Sequence, residues 1–263
     1  MIKPLEKINL EFEKNFQAIF NTPKLTQKYL NQRSDIFDKL IIDEFLKRKL
    51  ENDFAIVALG GYGRRELFPS SDIDLSIIQL TKKTEKIDDV KDFIGWLWTL
   101  KVKIGHSVRT IKDINKITKS DLKEFTSYLS NRVIYCHKNN INDLNQNLKK
   151  ISSNWNKTKF FNAKKLEQQR RYQSFDSTEF SLEPDLKESP GCLRDFQTAL
   201  WVLEHCFEIE KLEDCIKIKL FKKMEIKNVK KSYDHIKSLR YILNLNNHSN
   251  RISFENQLLL AKK

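Results

Sequence analysis

The sequence predicts an α+β chain in which helices flank a small mixed sheet. Three observations carry this: helical spacing of apolar residues over the first fifty positions, two short apolar runs around a glycine-rich loop, and a return to helical spacing after about residue 150. The expected organisation is a helical segment over 1–50, a core over 51–140 that holds the chemistry, and a helical domain over 150–263.

Leu5, Ile8, Phe12, Phe16 and Phe20 recur at intervals of three and four, which is one face of a helix. A second helical run, Asp35 to Leu50, places Ile36, Leu40, Ile41, Phe45 and Leu46 in the same rhythm. The period then changes. Phe54 to Leu59 is a continuous apolar run that stops at Gly60-Gly61, as a buried strand would, and Ile73 to Leu80 is another. Asp88 to Leu100 reads as a helix with Val90, Phe93, Ile94, Leu97 and Trp98 on one face. Val102 to Thr110 reads as a third strand and Asp121 to Tyr135 as a further helix. The Asn-rich stretch 139–147 is the expected domain boundary. Beyond it, Lys159–Gln173, Asp195–Cys206 and Asn228–Leu245 read as helices, interrupted by a loop holding Pro184 and Pro190.

Composition excludes several classes. An apolar fraction of 40% and an aromatic fraction of 11% argue against global disorder. No stretch approaches the roughly 20 apolar residues of a membrane span, and the first residues lack the apolar stretch of a secretion signal. Cys136, Cys192, Cys206 and Cys215 show no metal-ligand spacing and read as reduced thiols of a cytoplasmic protein. The net charge of +13 suits a polyanionic partner, but the lysines run from Lys3 to Lys263 without clustering. A solvated basic surface is the preferred reading over nucleic-acid binding, which favours Arg interleaved with aromatics.

The chemistry is concentrated between Leu59 and Leu75. Three of the chain's six glycines, Gly60, Gly61 and Gly63, fall within four residues, where backbone N–H groups can face phosphate oxygens. Arg64 and Arg65 add fixed positive charge, and Ser71 can donate a hydroxyl to the same phosphates. Asp72 and Asp74 stand two apart at the start of a strand. Residues i and i+2 there share a face, about 6.5 Å apart. Two such carboxylates repel unless a cation lies between them, and Mg2+ takes one or two carboxylates plus substrate phosphates. Asp-x-Asp alone is common in turns. Buried strand, Gly-Gly, nine residues, Ser-Asp-x-Asp and a second apolar strand are a far more specific combination.

That combination resembles the DNA polymerase β-like nucleotidyltransferases, and no Walker-type Gly-Lys-[Ser/Thr] is present. More narrowly, the run Gly60 to Leu75 resembles the bacterial PII uridylyltransferase/uridylyl-removing enzyme family. Ile104-Gly-His-Ser-Val-Arg-Thr110 is similar to that family's next strand. Asp121, Thr126 to Leu129 and Arg132 are similar to its following helix. Glu183 to Asp195 with Gln197, Thr198 and Trp201, and Arg251 to Gln257, are similar to later segments.

The resemblance implies a polymerase β-like core with a small mixed sheet, Asp72 and Asp74 on Mg2+, and Gly60, Gly61, Arg64 and Ser71 at the NTP phosphates. It makes Arg109 a phosphate contact, with a sheet-supporting salt bridge as the alternative. His106 reads as structural. Arg194 and Asp195 open a helix, so capping competes with a site role. The third strand carries no carboxylate, and Asp121 is the nearest candidate for a third metal ligand, against a helix-capping role.

Three positions depart from the family pattern: Arg65 and Cys192 replace glycines, and Ser130 stands where Glu is expected. The family also has a His-Asp phosphohydrolase domain. None is expected here, because His106, His137, His205, His235 and His248 form no His-Asp pair. A fragment and a short homologue both fit. The expected reaction is transfer of UMP from UTP to a PII-type signal protein. Adenylylation, or a decayed regulatory or partner-binding module, are the alternatives.

Overall fold

The computed structural model describes residues 3–81, 86–175 and 181–261. The helices α1 (Lys3–Lys14), α2 (Phe16–Asn21) and α3 (Thr26–Lys47) lead into β1 (Phe54–Ala58). A single helical turn, α4 (Gly60–Gly63), separates it from β2 (Ile73–Gln79). Then follow α5 (Ile87–Trp98), β3 (Ile104–Thr110), α6 (Ile111–Ser120), α7 (Leu122–Leu129), β4 (Arg132–Tyr135) and α8 (Ile141–Ile151). The remainder is helical: α9 (Lys157–Gln173), α10 (Leu193–Phe207), α11 (Asp214–Lys217), α12 (Lys223–Asn247) and α13 (Phe254–Ala261). The chain is therefore α+β, as its periodicities predicted. No helix among the described residues is long and apolar enough to cross a membrane.

The strands form one mixed sheet in the order β3-β2-β1-β4. β1 pairs antiparallel with both β2 and β4, while β2 and β3 run parallel. Every residue of β1 is buried, which explains its unbroken apolar run. On one side, Phe45 of α3 meets Phe93 of α5 and Tyr135 of β4 at centroid distances of 5.7 and 5.6 Å. On the other, Tyr128 of α7 reaches Ser76 of β2, hydroxyl to hydroxyl at 2.8 Å.

Contacts group the chain into two compact units. One holds residues 30–67 and 71–155, which includes the sheet; the other holds 1–29, 68–70 and 156–263. In the second unit, Phe12 of α1 stacks on Tyr241 of α12 at 3.9 Å, and Phe196 of α10 stacks on Tyr233 at 3.8 Å. This grouping cuts across the segments 1–50, 51–140 and 150–263 drawn from sequence.

Two sequence expectations need correction. The helix expected over Asp121–Tyr135 stops at Leu129, and Arg132–Tyr135 is a strand. Its Val133, Ile134 and Tyr135 suit a strand better than a helix, and pairing with β1 settles the competition. The Asn-rich stretch 139–147 lies mostly inside α8, whose Leu144, Leu148 and Ile151 are buried at helical spacing. Three apolar residues suffice there because polar positions face solvent.

Candidate active site

Asp74 sits near the start of β2, opposite Gly105 of β3 in the parallel pairing. Its backbone oxygen accepts from the Leu59 N–H at 2.9 Å, tying it to the residue just before α4. Ile73, fully buried, separates Asp72 from Asp74, and both aspartates are exposed. Alternation along extended chain therefore turns the two carboxylates away from the core on a common side.

The Asp74 carboxylate lies between two glycines. A Cβ on Gly105 would stand 2.5 Å from Asp74 Oδ1, and one on Gly60 would stand 3.5 Å from Oδ2. The first distance is below any real contact, so Gly105 leaves room that any side chain would fill. Gly60 also has φ +54°, a conformation glycine adopts without steric cost. The glycine requirement at these positions thus belongs to the seat of one carboxylate as well as to the loop.

The turn itself is packed hard. A Cβ on Gly63 would meet the Ser130 carbonyl oxygen at 1.9 Å, so the end of α7 rests directly on α4. The Gly63 and Arg64 N–H groups donate back to Leu59 and Gly60 at 2.9 and 3.1 Å. Those of Gly60, Gly61 and Tyr62 open the turn, ahead of any i−4 carbonyl within it. Ser71 stands half-buried immediately before Asp72.

The arginines have intramolecular partners. Arg64 donates through Nε to Glu66 at 3.0 Å and through Nη1 to the Ser130 hydroxyl at 3.1 Å. The serine found where the family segment has Glu is thus part of the support for the turn. Arg65 pairs with Asp35 and lies 3.7 Å from Asp38; the hydrogen bond to Asp35 raises its pKa. It adopts φ +57°, the left-handed region that costs a side chain about 1–2 kcal/mol. The ion pair with Asp35 holds the side chain of a residue in that conformation. Arg109 grips Glu124 of α7 with two hydrogen bonds, 2.6 and 3.0 Å. That bond raises the guanidinium pKa further, against the opposing effect of burial. This is the sheet-supporting salt bridge.

Asp121 caps α7, accepting from the Glu124 N–H at 2.9 Å. Among the described residues, no group of three or more His, Cys, Asp and Glu is placed to hold a metal ion. Asp72 and Asp74 are neighbours on exposed extended chain at the start of β2, and the Asp121 carboxylate is engaged at the start of α7. His106 is exposed on β3, with its ring 5.8 Å from that of Trp98.

The later motif segments are built into the helical unit. Leu186 N–H donates to the Asn250 carbonyl, and Ile252 N–H donates to that of Pro184, both at 2.9 Å. The runs beginning at Glu183 and at Arg251 are therefore joined. Asp195 gathers Arg171, Gln168 at 2.9 Å, Tyr172 at 2.6 Å and the Gly191 N–H at 2.7 Å. Burial would raise its pKa, but these donors outweigh it and hold the carboxyl below the usual range. Arg194 pairs with Glu188 at 3.0 Å. Burial pushes the Cys192 thiol up to about 11.

A family model described as GlnD PII-uridylyltransferase matches residues 159–263. A bifunctional uridylyltransferase/uridylyl-removing enzyme of Haemophilus influenzae is 34% identical over 238 residues, covering 89% of this chain and 28% of the relative. Enzymes of the same description from Hydrogenovibrio crunogenus and Pseudoalteromonas translucida are 33% and 34% identical. They cover 89% and 87% of the chain. The chain belongs to the PII uridylyltransferase family. It spans 27–28% of the length of these relatives.

Sequence reasoning located the glycine turn and the aspartate pair because both are local. It missed Asp38, Glu124 and Glu188, the acids that hold Arg132, Arg109 and Arg194. Only Glu188, six residues from Arg194, lies close enough in sequence for its pairing to have been suggested.

Proposed function

We propose that this chain carries a nucleotidyltransferase module with a DNA polymerase β-like core, transferring UMP from UTP to a hydroxyl of a PII-type signal protein. The observation that carries the reading is the exposed Asp72–Asp74 pair, with one carboxylate seated between Gly60 and Gly105. Its relatives, bifunctional uridylyltransferase/uridylyl-removing enzymes, support uridylyl transfer as the form of the reaction.

The residues present fit a divalent cation. Two carboxylates lie on one side of an extended segment, beside a turn whose one side chain, Tyr62, is buried. Asp72 and Asp74 would hold Mg2+, which supplies charge neutralisation at the phosphates and favours ionisation of the attacking hydroxyl. The rest is positioning and preorganised charge. Gly60, Gly61 and Ser71 would set the triphosphate against the aspartates, and the closed packing of Gly63 on Ser130 would keep the turn from moving. The acceptor oxygen forms the new bond to the α-phosphorus as the bond to pyrophosphate breaks, and the hydroxyl proton is released. Arg64 and Arg109 would act through the turn and the sheet they brace, since each is held by a neighbouring acid.

The test is to incubate the chain with Mg2+, a PII-type protein and each labelled NTP in turn, beside Asp72→Ala and Asp74→Ala. Transfer from UTP, abolished by both substitutions, is expected. Transfer from ATP alone would replace uridylylation by adenylylation, and no transfer from any NTP would overturn the enzyme reading.

A further inference from the structure

We infer that Asp38 of α3 is a positioning residue for the glycine turn, acting through Tyr62 and Arg132; this rests on the nucleotide-transfer reading. α4 contains three glycines and one side chain, that of Tyr62. A turn of glycines has large backbone freedom, so Tyr62 is its one side-chain anchor, beside the backbone packing of Gly63 on Ser130.

Tyr62 is fully buried, and its hydroxyl donates to Asp38 Oδ1 at 2.6 Å. The same carboxylate accepts twice from Arg132 of β4, at 2.7 and 3.0 Å. Arg132 also donates to the Tyr62 carbonyl oxygen at 3.4 Å, and its guanidinium lies 5.3 Å from the Tyr62 ring centroid. On the far side of the turn, Arg65 stands 3.7 Å from Asp38 Oδ2. One carboxylate thus restrains the turn through the Tyr62 hydroxyl, the Tyr62 carbonyl by way of Arg132, and the residue two beyond Gly63. Burial, then the Asp38 charge, raises the Tyr62 pKa well above its ordinary value, so the phenol remains a donor. The Asp38–Arg132 pair is largely shielded, its side chains 13% and 19% exposed. Removing the acid would leave a cation there with lost hydrogen bonds.

An ordinary core hydrogen bond would make the same contacts, so the test must separate local from global effects. Hydrogen exchange of the full chain would be measured for wild type, Tyr62→Phe and Asp38→Asn, with nucleotide kinetics alongside. Tyr62→Phe keeps the buried ring and removes only the hydroxyl. The informative amides are those of Gly63, Arg64 and Glu66, which close the turn onto Leu59, Gly60 and Gly61.

The expected result is exchange roughly tenfold faster at these amides, the size of one hydrogen bond to a charged group. Amides of β1 and β2 should be unchanged, and the KM for UTP should rise more than kcat falls. Unchanged turn exchange, a uniform rise across the sheet, or an unchanged KM with a local rise would each overturn the inference. If the turn loosens as expected but wild type transfers no nucleotide, the function proposed above falls and the anchoring of the turn stands.

Discussion

The carboxylate of Asp74 depends on an atom that Gly105 does not have. A Cβ there would come within 2.5 Å of Asp74 Oδ1, yet the atom it meets ends a short, exposed side chain that can turn aside. Gly105 lies in ordinary extended backbone, so no left-handed conformation resists substitution. Gly105→Ala should therefore lower nucleotide transfer at least tenfold while moving the unfolding midpoint by only a few degrees, a combination readable from one activity assay and one thermal melt. Loss of fold with activity would show that the glycine serves the sheet instead. Charged residues were the least legible of all at this scale. Arg64 and Arg109 beside a glycine turn and an aspartate pair suggest phosphate, but a guanidinium matches a carboxylate equally well. Their partners Glu66 and Glu124 decide between these only once the fold brings them close.

Among the elements, α7 links the site to the sheet. Its Ser130 end packs on Gly63, its Tyr128 reaches Ser76, and its Glu124 holds Arg109. Asp121 opens it as a cap. Asp121→Ala should cost about 1 kcal/mol of stability, measured by denaturant unfolding, and leave Mg2+ affinity unchanged; weakened Mg2+ binding would give Asp121 a ligand role beyond its cap. In the helical unit, Asp195 in the first turn of α10 binds Gln168, Arg171 and Tyr172 of α9. Its folded pKa is depressed, so its stabilisation is complete above the unfolded value of about 3.9 and is lost as pH falls through the folded one. Asp195→Asn should lower stability by about 2–3 kcal/mol near neutral pH, and the deficit should shrink in acid-side melts below about pH 4. A deficit independent of pH would mean that shape, not charge, is what Asp195 contributes.

Strands β1 and β2 were legible because a short run of buried apolar residues ending at Gly-Gly leaves few other options. β4 was not, because four residues after a helix carry too little pattern to reveal a pairing with β1, some 75 residues earlier in the chain. The joining of the Glu183 and Arg251 segments was equally hidden, resting on backbone hydrogen bonds that any residue could make.

Taken whole, the molecule holds Asp38, Gly60 to Gly63, Asp72, Asp74 and Gly105 in one compact unit, residues 30–67 and 71–155. The α+β class was readable because periodicity reports elements, whereas the grouping of residues 1–29 with 156–263 depends on contacts such as Phe12 on Tyr241 that span most of the chain. The proposed transfer requires a working carboxylate at Asp74. Pyrophosphate release from UTP in the presence of Mg2+ and a PII-type protein measures this directly in wild type and Asp74→Asn, which keeps the side chain's size and removes its charge. Steady release by wild type and a fall on the order of 100-fold or more in the variant are expected. Equal release by the two proteins would contradict that requirement.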